Sequence, residues 1–94
     1  MKWMEIIELR SVERNREILE KYLKMLVGAV QKELQSSSVR VYISPGIGVD
    51  YSVHLYHTSH KSEIGESALA LHLASGLKEY GLVNYSIWVE MQEQ

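Results

Sequence analysis

The chain has 94 residues, a formal net charge of −2 and no cysteine. A chain of this length is one domain, burying roughly 60–65% of its unfolded surface. The absent thiols exclude disulfides, zinc-thiolate centres, iron–sulfur clusters and cysteine nucleophiles, and the slightly acidic balance argues against nucleic acid or anionic lipid as general partners.

The hydrophobic and charged fractions, 46% and 23%, are those of an ordinary globular domain. No apolar run reaches the ~20 residues of a membrane span, and Met1-Lys2-Trp3-Met4-Glu5 is not the start of a secretory leader. The expectation is a cytoplasmic protein with no cofactor, no membrane partner and no nucleic-acid partner.

The first predicted element is a strand over residues 3–10, apolar on both parities. Trp3, Ile7 and Leu9 share one face, Met4 and Ile6 the other. Such a strand is central and covered on both sides. Ser11 is the expected cap of a helix running to about residue 35, with Glu13 in its first turn. Leu19, Leu23, Leu26, Val27, Val30 and Leu34 form its core stripe, widened by Tyr22, Ala29, Ile18 and Met25. Glu17, Glu20, Lys21, Lys24, Gln31 and Lys32 make the solvated face. The polar run Gln35-Ser36-Ser37-Ser38 is read as a loop.

Residues 39–44 alternate, with Val39, Val41 and Ile43 opposite Arg40, Tyr42 and Ser44. A turn is predicted at Pro45-Gly46-Ile47-Gly48. The next strand, 51–57, sets Tyr51, Val53 and Leu55 against Ser52, His54 and Tyr56, completing a hairpin. A second helix is expected from a cap at Ser62, with core residues Leu69, Leu73, Leu77 and Tyr80 and a stop at Gly81. Ile64, Ala68 and Leu71 form a separate apolar patch on it. The last strand, 82–91, alternates Val83, Tyr85, Ile87, Val89 and Met91 with Asn84, Ser86, Trp88 and Glu90, and residues 92–94 are a polar tail.

This order gives an α+β fold of the ferredoxin-like βαββαβ type. It has a four-stranded antiparallel sheet with its first and third strands central and two helices on one face. The other face would carry Tyr42, His54, Tyr56, Asn84 and Trp88, joined by Met4 and Ile6. Large amphipathic side chains there mark a surface built to be covered or to bind a ligand.

The length and element order resemble the dimeric α+β barrel superfamily, which includes small monooxygenases and heme-degrading enzymes. The resemblance spans the whole chain and is one of architecture: no family motif and no residue role carries over. It implies a homodimer formed through the open sheet face. Tyr42, His54, Tyr56, Asn84 and Trp88 are then its interface or ligand-binding residues, with a small apolar or aromatic molecule held between the sheets. Two alternatives stand beside it. One is a cofactor-free monooxygenase- or isomerase-like enzyme using His54, Tyr56, Asn84 and Trp88. The other is a protein-interaction module docking through Ile64, Ala68 and Leu71.

Other chemistry is thinner. His54 and His57 fall on opposite faces of a strand and cannot share a metal, and His60 lies beyond it, so no metal site is expected. His72 reads as a half-buried structural histidine. Glu8 and Glu90 would meet across the first and last strands, within an interface network with Arg10 and Arg40. Gly46-Ile47-Gly48 precedes a strand rather than a helix, so it is a turn and not a phosphate loop. Serines, histidines and glutamates are all present, but only geometry could assemble them into a catalytic triad.

Overall fold

A computed structural model describes residues 1–11, 16–33, 37–44 and 50–91. Strand β1 (Lys2–Ser11) is followed by helix α1 (Arg16–Glu33), strands β2 (Ser37–Ile43) and β3 (Asp50–Thr58), helix α2 (Ala68–Leu77) and strand β4 (Gly81–Val89). Short 3₁₀ turns, Lys61–Glu63 and Lys78–Tyr80, flank α2. The strands form one antiparallel sheet in the order β2-β3-β1-β4, with the doubly apolar β1 and its partner β3 at the centre. This is the ferredoxin-like α+β fold expected from the element order.

The core lies between the sheet and the helices. Ile7, Leu9, Val39, Tyr51, Val53 and Leu55 pack from the sheet against Leu19, Leu23 and Val30 of α1 and Ala70, Leu73 and Leu77 of α2. The predicted stripe of α1 is therefore too wide at its margins: Ile18 and Met25 are 54% and 68% exposed, and Ala29 is exposed. The helix-facing parity of β4 is also not covered throughout. Ten residues of α2 span only about 15 Å, so they shelter Val83 and Tyr85 but leave Ile87, Val89 and Met91 exposed.

Three boundaries differ from the sequence reading. Ser37 and Ser38 belong to β2, paired with His57 and Tyr56, because the sheet ladder outweighs their preference for turns. The cap of α2 is Ser67, not Ser62: its hydroxyl accepts from the Ala70 N–H at 3.0 Å. Ser62 lies in the preceding 3₁₀ turn, where Ile64 also precedes α2 rather than sitting on it with Ala68 and Leu71. Ser11 closes β1 opposite Gly81. Glu13, Leu34, Gln35, Ser36, the 45–48 turn and the 92–94 tail lie outside the described residues.

Gly81 opens β4 against the β1 backbone, where a Cβ would stand 2.1 Å from the Arg10 carbonyl oxygen. Only glycine permits that approach.

Candidate functional site

Side chains opposite one another in a sheet share a face, so the pairing registers define the open surface. Its rows across the sheet are Ser38, Tyr56, Met4 and Trp88; then Arg40, His54, Ile6 and Ser86; then Tyr42, Ser52, Glu8 and Asn84; then Asp50, Arg10 and Leu82. Among the described residues, no element packs over this face. Trp88 is 56% exposed, Tyr42 45% and Leu82 72%.

The five residues expected there divide into separate groups. Tyr42, His54 and Tyr56 form one cluster. The two phenol oxygens lie 3.1 Å apart, His54 Nδ1 sits 3.3 Å from the Tyr56 hydroxyl, and the Tyr42 and His54 rings are 4.6 Å apart. His54 Nε2 bonds Ser52 Oγ at 3.1 Å. Partial burial lowers the His54 pKa, which the charge of Glu8 only partly offsets. Trp88 stands apart on the edge strand β4, its indole N–H donating to Ser86 Oγ at 3.0 Å. Asn84 is exposed opposite Glu8. With β1 between their strands and their registers one row apart, His54 and Asn84 are separated by roughly 12 Å.

A groove of about 540 Å³ runs over one end of this face, between Tyr42, Ser52, Glu8, Arg10, Asn84 and Leu82. Tyr42 and Asn84 line it; His54, Tyr56 and Trp88 do not. Arg10 faces Asp50 across it at 3.9 Å. Glu8 and Glu90 do not meet. The antiparallel register sets Glu8 opposite Asn84, while the Glu90 N–H bonds the Lys2 carbonyl at the far end of β1.

The helix side of the sheet holds a second polar constellation. Glu5 lies in the middle of β1 with its side chain fully buried. Its Oε1 accepts from His57 Nε2 at 2.7 Å and from Ser67 Oγ at 2.7 Å. Its Oε2 accepts from the Tyr85 hydroxyl at 2.6 Å and the Ser67 N–H at 2.9 Å. Burial by itself pushes this carboxyl upward. The bonds from the Ser67 N–H, Tyr85, the Ser67 hydroxyl and His57 outweigh burial and hold it below the usual carboxylate range. The Tyr85 phenol is pushed well up, first by burial and then by the Glu5 carboxylate it must stay protonated to serve.

The constellation continues outward. His57 Nδ1 lies 2.7 Å from Ser37 Oγ, and the imidazole stacks on Trp3 with ring centroids 4.2 Å apart. The indole N–H of Trp3 donates to Ser59 Oγ at 2.8 Å. Ser37 and His57 both line two adjoining clefts, of about 220 Å³ and about 480 Å³.

No protein-family model matches the sequence, and no curated protein matches it. Among solved structures the fold is similar to Rv0793 from Mycobacterium tuberculosis. The TM-score is 0.70 at 15% identity, over 99% of this chain and 98% of that one. Likeness at that identity carries the fold and nothing finer.

Sequence reading missed the Glu5 group. Glu5 shares its parity with Trp3, Ile7 and Leu9, and a carboxylate among core positions of a central strand was the available signal. Its partners were hidden because they are diagonal: His57 lies two residues from Glu5's opposite number on β3, and Tyr85 two from that on β4. The alternation of β3 does place His54 and His57 on opposite faces. His72 proves exposed on α2 rather than half-buried. Among the described residues, no three His, Asp or Glu side chains converge as metal ligands.

Proposed function

We propose that the chain acts as a homodimer in which two open sheet faces meet and enclose a small aromatic molecule. The observation that carries this reading is the presence of three exposed large side chains, Trp88, Tyr42 and Leu82, on a sheet face with no covering layer among the described residues. Four strands about 4.8 Å apart, with nine residues of about 3.3 Å rise, give a face roughly 20 by 30 Å. That extent is of the order of the ~800 Å² each partner contributes to a standard stable interface. A second copy also suits the face chemically, since it carries both Arg10 and Arg40 and both Glu8 and Asp50, so a two-fold axis can bring opposite charges together. The whole-chain likeness of architecture to the dimeric α+β barrels supports the same arrangement.

In this reading the 540 Å³ groove becomes an enclosed chamber. Its volume falls within the range of small-molecule sites. Tyr42 and Leu82 supply apolar walls, while Ser52, Asn84 and the charged Glu8, Arg10 and Asp50 supply the polar contacts that orient a ligand. The Tyr42–His54–Tyr56 cluster stiffens one wall.

The test is molar mass in solution by size-exclusion chromatography with light scattering. A dimer of twice 10.8 kDa is expected. Trp88→Ala should weaken it about 30-fold or more, the effect of losing an aromatic anchor worth ~2 kcal/mol. A monomeric parent, or a variant that dimerises as tightly as the parent, refutes the reading.

A further inference from the structure

We propose that Ser37, His57 and Glu5 are a serine nucleophile, its general base and the acid that positions the base, competent to hydrolyse small esters through an acyl-Ser37 intermediate. The Ser37, His57 and Glu5 side chains lie on the helix side of the sheet; the smaller cleft beside them is lined from that side, and the larger one reaches round the sheet edge to Ser38 and Tyr56 of the open face.

The proton positions follow from the donors and acceptors. An ionised Glu5 has no proton to give, so the 2.7 Å contact with His57 Nε2 is an N–H donating to the carboxylate. A neutral imidazole then carries a lone pair on Nδ1. With the ring in that neutral form, the 2.7 Å contact there is the Ser37 hydroxyl donating to it. A nucleophile hydrogen-bonded to a base, itself oriented by a buried acid, is the geometry of the serine triads, here with the two ring nitrogens exchanged. Stacking on Trp3 fixes the plane of the ring.

His57 has a structural duty as one of the four donors to Glu5, but Ser37 lies beyond that set. Capping α2 needs only Ser67, and holding Ser67 needs only Glu5. Ser37 adds nothing to either, yet it stands at the junction of the two clefts with His57. In this proposal the Ser37 N–H serves as the donor for the developing oxyanion. The Val39 N–H points away from β3, to Gln31 Oε1 at 3.2 Å, and strand alternation turns the Ser37 N–H the same way, beside its own Oγ.

In the first half-reaction Ser37 Oγ attacks the ester carbonyl carbon as its proton passes to His57 Nδ1. The tetrahedral adduct then collapses. Its C–O bond to the alcohol breaks, and His57 returns the proton to the departing alkoxide. In the second half, water attacks the acyl group with His57 again taking the proton, which it then gives to Ser37 Oγ as the carboxylic acid leaves. Ester and water become acid and alcohol, with no further reactant. The smaller cleft, about 220 Å³, suits a short acyl chain.

The test combines labelling with kinetics on the full chain. A fluorophosphonate probe should add one adduct, mapped by peptide mass spectrometry to Ser37. p-Nitrophenyl acetate should be turned over with an acetyl-Ser37 intermediate. Ser37→Ala and His57→Gln should each lower that turnover about 100-fold or more, the contribution of a positioned nucleophile and base. Ser37→Ala removes one oxygen from a partly buried residue, and an unchanged melting curve confirms that its fold is retained. Glu5→Gln tests the positioning role: kcat normalised to the folded fraction, measured by circular dichroism on the same sample, should fall while KM stays; a loss of folded protein alone lowers Vmax but leaves the normalised kcat unchanged. A probe that labels other residues and not Ser37, or a folded Ser37→Ala protein as active as its parent, overturns the proposal.

Discussion

Replacing Tyr85 with phenylalanine removes one donor from the buried carboxylate and leaves the ring that packs against the core. The lost bond is 2.6 Å long and charge-assisted, because Glu5 is ionised. Hydrogen bonds to charged groups contribute about 1.5–3 kcal/mol, so a loss of about 2 kcal/mol is expected at pH 7. For a domain of this size each kcal/mol moves Tm by about 4–8 °C, giving a fall of roughly 8–16 °C. The loss should depend on pH with a definite sign. The folded pKa of Glu5 is depressed, so its stabilising contribution is full above its unfolded value, about 4.3, and fades as pH falls through the folded value. In acid the Tyr85→Phe penalty should shrink toward the ~1 kcal/mol of a neutral hydrogen bond. Urea denaturation of parent and variant at pH 7 and near pH 3.5, with unchanged m-values, measures this. A loss below about 0.5 kcal/mol at pH 7, or a loss that grows as pH falls, would refute the account of Glu5 as an ionised acceptor.

Gly81→Ala sets a Cβ 2.1 Å from the Arg10 carbonyl oxygen, so the β1–β4 ladder must shift; a stability loss of about 2–4 kcal/mol should appear in urea midpoints. Gly28→Ala, in the interior of α1 with open space around it, should instead stabilise by about 0.5–1 kcal/mol, and a lower midpoint would contradict the helical assignment there. His54 faces Glu8, Arg40, Ser52, Tyr42 and Tyr56, and its folded pKa is lowered. Its contribution is therefore full above about pH 6.5 and lost as pH falls, so His54→Gln should flatten the stability difference between pH 7.5 and pH 5.5. An unchanged slope would show that His54 does not titrate in that window.

The parts legible in the sequence were those governed by period. Alternation in β2, β3 and β4 placed Val53 and Leu55 inward and Ser52 and His54 outward, and the doubly apolar β1 marked a central strand. Capping was harder, because Ser62 and Ser67 both precede a helical pattern and only the Ala70 N–H chooses between them. Register was not legible. Pairing Glu8 with Glu90 was reasonable from parity alone, yet antiparallel alignment puts them at opposite ends of β1. The Glu5 group needed register twice, once on each side of β1, and it also needed Ser37 in a strand. Local preference assigned Ser37 to a loop, so the outermost member of the group was hidden by the competition between turn propensity and ladder pairing.

Alternation along β1 also explains how so small a chain can hold two unlike polar groups without mixing them. Even-numbered residues carry Glu8 and Arg10 to the open face, while odd-numbered Glu5 meets the helices. A carboxylate on the open face stays hydrated until something covers it, so Glu8 needs no built partner. Glu5 has no access to water, and an unpaired ion there would be too costly to survive, so four donors had to be built around it. Those donors come from β3, β4 and the cap of α2, which ties both strands flanking β1 to the second helix through one side chain. A second copy seated on the open face would cover Tyr42 and Trp88 and crowd the larger cleft at Tyr56, while leaving Ser37 and His57 facing the smaller one. Reactivity at Ser37 through the smaller cleft is therefore separable from dimer formation, and Trp88→Ala should alter the second without altering the first.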